Sequence, residues 1–207
     1  MTLLVTGGTG TVGRPTVLHL ATNRRSDARA TARLLEVARS AGVEHLVYLS
    51  IVGVDAVPLG YYRSKLECER HIAASGLGFT VLRATRFHDF VGGAFAAQRR
   101  LPLVLTLDVP FQPIDTRAVA ARLESFMGAA PAGGRVDDLG GPEVLPMREL
   151  AEQWLVAGGA SGADARRRVV EWRAPGRLAA AYRAGLHTPG QPGPGIPFAE
   201  WAARAAR

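Results

Sequence analysis

The 207-residue sequence predicts an α/β fold: a doubly wound parallel sheet followed by a smaller α+β region. Three observations carry this. An apolar run, Leu3-Leu4-Val5, ends at Thr6 in a cluster of glycines, Gly7, Gly8, Gly10 and Gly13. Two more short apolar runs, Glu44 to Ser50 and Phe79 to Arg83, read as buried strands. The stretches between read as helices, so strand and helix alternate, which argues for parallel strands joined by right-handed crossovers.

Each element has its own signal. A first helix is expected after Gly13, with Pro15 acceptable in its first turn. Thr16 to Thr22 reads either as that helix continuing or as a strand. Ser26 or Asp27 caps the next helix, Ala28 to Ala41, with Ala30, Leu34, Val37, Ala38 and Ala41 on one stripe and Gly42 as its stop. Ile51 to Gly60 is a loop, and Tyr61 to Ser75 a helix carrying Leu66, Ile72 and Ala73, closed by Gly76. Arg86 to Gln98 reads as a helix interrupted by Gly92-Gly93. Short strands are expected at Leu103–Leu107, Phe111–Ile114, Val136–Leu139 and Val169–Trp172. Helices are expected from Asp115 or Thr116 to Met127, at Met147–Val156, at Gly176–Ala184 and at Phe198–Arg207. The proline- and glycine-rich stretch Leu186 to Pro197 is read as loop.

Composition narrows the function classes. Hydrophobic content of 47% and charged content of 21% are ordinary for a globular protein with a sizeable core. Cys68 is the only cysteine, so no internal disulfide forms and a reducing compartment is the default. No charged-then-apolar leader precedes the first strand and no apolar run is long enough for a membrane helix, so the expectation is a cytoplasmic protein without a membrane partner. The net charge is +7, but the arginines are scattered and only Arg166-Arg167-Arg168 makes a run of three. A solvated surface explains them better than nucleic-acid binding. Lys65 is the only lysine, the other 24 basic residues being arginine. A lysine kept against such a bias marks a place where a compact ammonium is needed and a planar fork will not serve.

Two constellations carry chemistry. Gly7, Gly10 and Gly13 follow an apolar strand at G-x-x-G-x-x-G spacing. A strand that ends in a glycine turn and enters a helix is the phosphate cradle of a dinucleotide-binding fold. Glycine admits positive φ and leaves room for the pyrophosphate, while the helix N-terminus supplies N–H groups and a favourable dipole. A plain strand–turn–helix is the alternative. Farther on, Tyr61 and Lys65 stand four apart and share one helix face. An ammonium beside a phenol favours phenolate and fits the tyrosine for proton transfer near neutral pH. Ser50, at the end of the preceding strand, is placed to hold a substrate oxygen. An exposed helix with an incidental pair is the alternative. The five histidines show no metal-ligand spacing, so no metal site is expected, and Cys68 reads as packing. Phe87, His88, Phe111 and Gln112 are candidates for a substrate pocket or for ordinary core and loop roles.

In this order, TGGTGTVG, HLVYLS, YYRSK and GFTVLRATRF resemble the short-chain dehydrogenase/reductase superfamily, and more narrowly its atypical, NmrA-like NAD(P)H-binding branch. The resemblance covers most of residues 1–145. It implies a Rossmann-like sheet with a small C-terminal α+β substrate region, and NAD or NADP as cofactor. It implies that Thr6, Gly7, Gly10, Thr11, Val12 and Gly13 bind pyrophosphate, that Ser50, Tyr61 and Lys65 are catalytic, and that Lys65 also touches the nicotinamide ribose. The loop Arg83-Ala84-Thr85-Arg86-Phe87 would cover the nicotinamide, with Arg83, Thr85 and Phe87 as contacts. His19-Leu20-Ala21-Thr22 resembles the family's fourth strand, whose end, Ala21 and Thr22, contacts the cofactor. The implied activity is that of an oxidoreductase or epimerase-like enzyme on a small-molecule substrate. Many members of this branch lack a working tyrosine, so a non-catalytic NAD(P) sensor, or a degenerate member with weak cofactor binding, is the other expectation.

On that alignment about 50 residues are absent between the first helix and His19, and with them the second and third strands and the adenosine-ribose selector. About ten residues then join the first strand to His19, whereas a parallel crossover needs a dozen or more. His19 to Thr22 is therefore expected to be drawn into the first helix, beside a narrower sheet. The expected organisation is a truncated NAD(P)-binding core over residues 1–115 and a substrate-side region over 116–207.

Overall fold

The computed structural model describes residues 2–6, 16–20, 27–158 and 167–206. In chain order the elements are β1 (Thr2–Thr6), β2 (Thr16–Leu20), α1 (Asp27–Ser40), β3 (His45–Ile51), α2 (Gly60–Ala73), β4 (Phe79–Ala84), α3 (His88–Ala96), β5 (Leu103–Leu107), β6 (Pro110–Phe111), α4 (Thr116–Glu124), β7 (Gly134–Arg135), β8 (Leu145–Pro146), α5 (Met147–Val156), β9 (Arg168–Trp172), α6 (Arg177–Arg183) and α7 (Phe198–Ala205). The residues divide into two units, the first made of Met1–Ala84 and Ala120–Leu139, the second of Thr85–Val119 and Gly140–Arg207. The boundary expected after residue 115 thus falls inside the second unit.

The first unit is an α/β Rossmann-type layer. Its sheet has the order β1-β2-β3-β4-β7, parallel from β2 to β7. β3, HLVYLSI, is the central strand, and its near-continuous burial is what a strand covered on both faces requires. Leu34 and Leu35 of α1, Cys68 and Ile72 of α2, and Val17, Leu46, Tyr48 and Val81 from the sheet make one core. Two histidines of the sheet are paired with threonines: His19 Nε2 lies 2.9 Å from Thr31 Oγ1, and His45 Nε2 lies 2.8 Å from Thr80 Oγ1. Gly42 adopts φ +67° after α1 and stops that helix.

Several expectations are corrected here. Thr16–Leu20 is a strand, not an extension of a helix, and it runs antiparallel to β1 while parallel to β3. The reason is length: nine residues, 7–15, separate the two strands. That is too few for a parallel crossover and ample for an antiparallel turn. On α1, Val37 is exposed and Thr31 and Leu35 are buried, because the helix turns so that Thr31 reaches His19. On α2 the buried stripe is Tyr62, Lys65, Cys68 and Ile72 rather than Leu66 and Ala73. One face of that helix is thus set by the lysine.

The second unit has its own core of Val91, Phe95, Val104, Val109, Phe111, Leu150, Ala151, Trp154, Leu155, Phe198 and Ala202. α3 runs unbroken through Gly92-Gly93, contrary to expectation, because the Trp201 ring of α7 occupies the place of a side chain at Gly92. The stretch from Leu186 to Pro197 is irregular, as expected, but anchored. Gln112 donates to the carbonyls of Gly141 (2.8 Å) and Gln191 (2.7 Å) and accepts from Gly190 N–H, while His88 bonds the Ile196 carbonyl.

His187 is a further anchor. It is buried against Phe111 and Tyr182 and donates Nε2–H to the Pro110 carbonyl at 2.9 Å. Burial, and secondarily the Arg86 charge, hold its pKa down to about 4, against 6.5 when exposed, although the Pro110 carbonyl works the other way. A depressed folded pKa means stability that is whole above pH 6.5 and is lost as pH falls toward 4. A His187→Gln variant, whose amide can still reach Pro110, is expected to lose about 2 kcal/mol less stability than the parent between pH 7 and pH 5. Urea midpoints at the two pH values check this. Equal losses in parent and variant would show that His187 is not the sensing group.

Candidate functional site

In the first unit the parallel register aligns Leu20 with Leu49, Leu49 with Leu82, Ser50 with Arg83 and Ile51 with Ala84. The C-terminal ends of β2, β3 and β4 therefore form one edge. In open α/β sheets that edge is where ligands bind. Ser50 and Arg83 stand on it. Ala21 and Thr22 continue from β2, and Gly7, Gly10, Thr11, Val12 and Gly13 from β1, but all seven lie outside the described residues.

Ser50 is buried and its Oγ has no hydrogen-bond partner. An unpaired buried hydroxyl is costly, and a ligand oxygen would satisfy it. Lys65, one residue away across the strand end, donates from Nζ to the Leu49 carbonyl at 3.3 Å. The same ammonium lies 5.3 Å from the Tyr48 ring centroid and 5.8 Å from the Tyr61 ring centroid, both within cation–π range. The single lysine is therefore buried, oriented and beside the tyrosine that the sequence paired with it. Tyr61 itself is half-buried, in the first turn of α2.

Beneath Lys65 lies a set of polar groups that the sequence did not reveal. His19 is 5.3 Å from the Tyr48 ring centroid, and Thr31 Oγ1 donates to Cys68 Sγ at 3.3 Å. Burial first, and the Lys65 ammonium second, lower the His19 pKa to about 4, so its imidazole is neutral. Burial, with Cys68 next, pushes the Tyr48 phenol up. The only signal for this set was strand register, since His19 pairs with Tyr48 across β2 and β3.

Arg83 is not a loose cap on the edge. Its Nε and one Nη donate to both oxygens of Glu69 (3.0 and 2.8 Å), and the other Nη donates to Asp55 (2.8 Å). The hydrogen bond from Arg83 holds the Asp55 carboxyl below its usual range. Its guanidinium is committed to α2 and to the turn after β3.

Thr6 is placed elsewhere. It pairs with Thr16, which pairs with His45, so β1 ends at the edge opposite Ser50. Four residue steps, about 13 Å at a strand's rise, separate the two edges along β2. Thr85 and Phe87 belong to the second unit. There Thr85 Oγ1 is buried without a partner, and half-buried Phe87 bridges to Ile114 and precedes α3. Among the described residues no group of three His, Cys, Asp or Glu side chains is arranged to hold a metal ion, and no helix is long and apolar enough to cross a membrane.

Residues 9–103 match a protein family described as NAD(P)H-binding. Over 127 residues the chain is 30% identical to the chloroplastic divinyl chlorophyllide a 8-vinyl-reductase of Zea mays, covering 57% of this chain and 32% of that protein. The chain thus spans about a third of the length of the curated relatives it matches. The fold is similar to that of the NADPH-dependent quinone oxidoreductase of Escherichia coli in complex with NADPH, with a TM-score of 0.63 and 17% identity over 93% of this chain and 76% of that one. It is also similar to the Bordetella bronchiseptica enzyme WbmG in complex with NAD, with a TM-score of 0.67 and 16% identity over 92% and 70% of the two chains.

Proposed function

We propose that this member of the atypical short-chain dehydrogenase/reductase superfamily is an NAD(P)-dependent oxidoreductase acting on a small carbonyl or hydroxyl compound, with Tyr61, Lys65 and Ser50 as its catalytic residues. The observation that carries the reading is the strand end at Leu49-Ser50. Its carbonyl orients the only lysine of the chain, and its next hydroxyl is buried with nothing to bond.

The bound nicotinamide supplies the hydride. The protein supplies the rest of the reduction. Ser50 donates a hydrogen bond to the substrate oxygen and fixes its direction. Tyr61 passes its phenolic proton to that oxygen as negative charge builds there. Lys65 stabilises the phenolate left behind and holds the nicotinamide ribose, and Tyr61 then regains a proton from solvent. In the oxidative direction the same groups run in reverse. Thr85 and Phe87 are proposed contacts to the nicotinamide, Ala21 and Thr22 to the rest of the cofactor. The glycine segment, Gly7, Gly10, Thr11, Val12 and Gly13 with Thr6, is proposed to hold pyrophosphate. Arg83 serves by fixing α2 against β4. On the alignment with the family, the segment that carries its adenosine-ribose selector has no counterpart here, so the reading leaves NAD and NADP equally open. Quinones, and the vinyl group named in the maize relative, are the first substrates to assay.

The direction of β1 favours a second reading. If the pyrophosphate does not reach the Ser50 edge from the edge where Thr6 stands, only the nicotinamide half docks, and the chain is a weak, non-catalytic NAD(P) sensor. Titration with NADH and NADPH, followed by nicotinamide fluorescence, separates the cases. The enzyme reading expects saturable binding below millimolar cofactor and oxidation of the cofactor when a carbonyl or quinone is added. Binding without hydride transfer across such a panel supports the sensor, and no binding at millimolar cofactor overturns both.

A further inference from the structure

The second unit carries an apolar surface that its core uses only at Leu107. In the two-stranded parallel sheet, Leu103 pairs with Arg168, Leu105 with Val170 and Leu107 with Trp172. Alternation puts these six residues on one face. Val104 and Thr106 point the other way and are buried. On the first face Leu105 is 48% exposed and Trp172 59%, and Leu101, just before β5, is 45% exposed. The free edge of β5 is sealed, since the Gln98 side chain accepts from Leu105 N–H at 2.8 Å and donates to Leu105 C=O at 3.2 Å. The face, not an edge, is what the sheet offers.

Among the described residues, the one charged side chain on this face is a cation. Arg99 and Arg100 border the patch and are exposed, and Arg168 stands on the face itself. Arg167 turns inward and bonds the carbonyls of Gln98 and Leu103. The six face residues include no carboxylate. Glu171 alternates to the opposite face, and Asp108 is paired with Arg173 at 3.0 Å. Contiguous exposed apolar side chains mark an interaction site.

We propose that this face docks on an anionic lipid surface, with Trp172, Leu105, Leu101 and Val170 entering the headgroup–acyl boundary and Arg99, Arg100 and Arg168 meeting lipid phosphates. Tryptophan and leucine flanked by cations is the pattern of interfacial anchoring. A second copy fits worse, because a self-complementary contact would bring arginine onto arginine with no carboxylate to answer it. An acidic peptide fits worse too. One cleft of the unit, about 340 Å³, is lined by Asp108, Glu171, Arg173 and Arg183, so carboxylates share it with the arginines, and none of the six face residues lines it.

Sedimentation with vesicles tests the proposal, using phosphatidylcholine alone or mixed equally with phosphatidylglycerol. The full chain is expected to sediment with the mixed vesicles and not with the neutral ones. Emission from Trp172 should shift to the blue, a shift lost in Trp172→Phe. Binding should vanish at about 1 M salt, where the screening length is about 3 Å. The double variant Arg99→Glu/Arg168→Glu should bind at least about thirtyfold more weakly, since each cation near such a surface contributes about fivefold. Leu178→Asp, another exposed apolar position, should bind as the parent does, and circular dichroism should show every variant folded. Equal binding to neutral vesicles, no binding to either, or insensitivity to the charge reversal would overturn the proposal. So would self-association abolished by the same reversal, or equal retention on polyglutamate.

Discussion

A Tyr61→Phe variant is expected to bind NAD(P)H as the parent does and to turn over about 10²–10⁴-fold more slowly, the usual contribution of one positioned proton donor. The phenyl ring keeps the packing and the contact with Lys65 Nζ, which lies 5.8 Å from the ring centroid, so what the variant removes is the phenolic hydroxyl. Lys65→Met should differ in kind. It should lose turnover to a similar degree and also weaken cofactor binding, because the ammonium is assigned to both phenol and ribose. Lys65→Arg should not rescue it. The side chain is buried and its ammonium is held by the Leu49 carbonyl, and a wide planar fork does not substitute for a compact ammonium in a buried place. Steady-state oxidation of NADPH and NADH, with binding measured separately by fluorescence, checks both. Undiminished turnover in Tyr61→Phe would remove the tyrosine from the mechanism.

That Tyr61 and Lys65 lie side by side was legible because the signals are local. Four residues on a helix fix a shared face, and a lone lysine among arginines draws notice without any fold. The strand, helix, strand alternation from Asp27 to Ala84 was legible for the same reason, since apolar runs and glycine stops act over a few residues. What escaped was set by distant partners. The buried side of α1 depends on Thr31 meeting His19, a strand away, so a stripe one position out of phase looked equally good. The direction of β1 depends on how much chain joins it to β2. Sequence pattern gave the shortage of length, but not that an antiparallel pairing would resolve it. Arg83 was expected as a cofactor contact because the family resemblance places the loop it opens over the nicotinamide. Its commitment to Glu69 and Asp55 requires knowing that α2 and the turn after β3 converge there.

Arg83 is also where the largest loss of stability is expected. Its side chain is buried, that of Glu69 is largely so at 11% exposure, and the two share a bidentate pair. Replacing Arg83 by Met strands the Glu69 carboxylate in a place where water cannot restore what the guanidinium gave. Breaking a buried pair from one side costs about 3–5 kcal/mol. Asp55 loses the same partner, but at 51% exposure it is resolvated, so Asp55→Asn should cost no more than about 1 kcal/mol. Because Arg83 keeps the Asp55 carboxyl below its usual range, the share that Asp55 does contribute is present above the ordinary carboxylate pKa and fades as pH falls through its lowered value. The decisive comparison is the double variant Arg83→Met/Glu69→Met. With both charges gone there is no stranded carboxylate, and replacing a buried pair by apolar side chains of similar volume is often nearly neutral. The double variant should therefore be more stable than Arg83→Met alone, as read from urea unfolding at neutral pH. If the double is no more stable than the single, the loss comes from packing around β4 and not from an uncompensated charge.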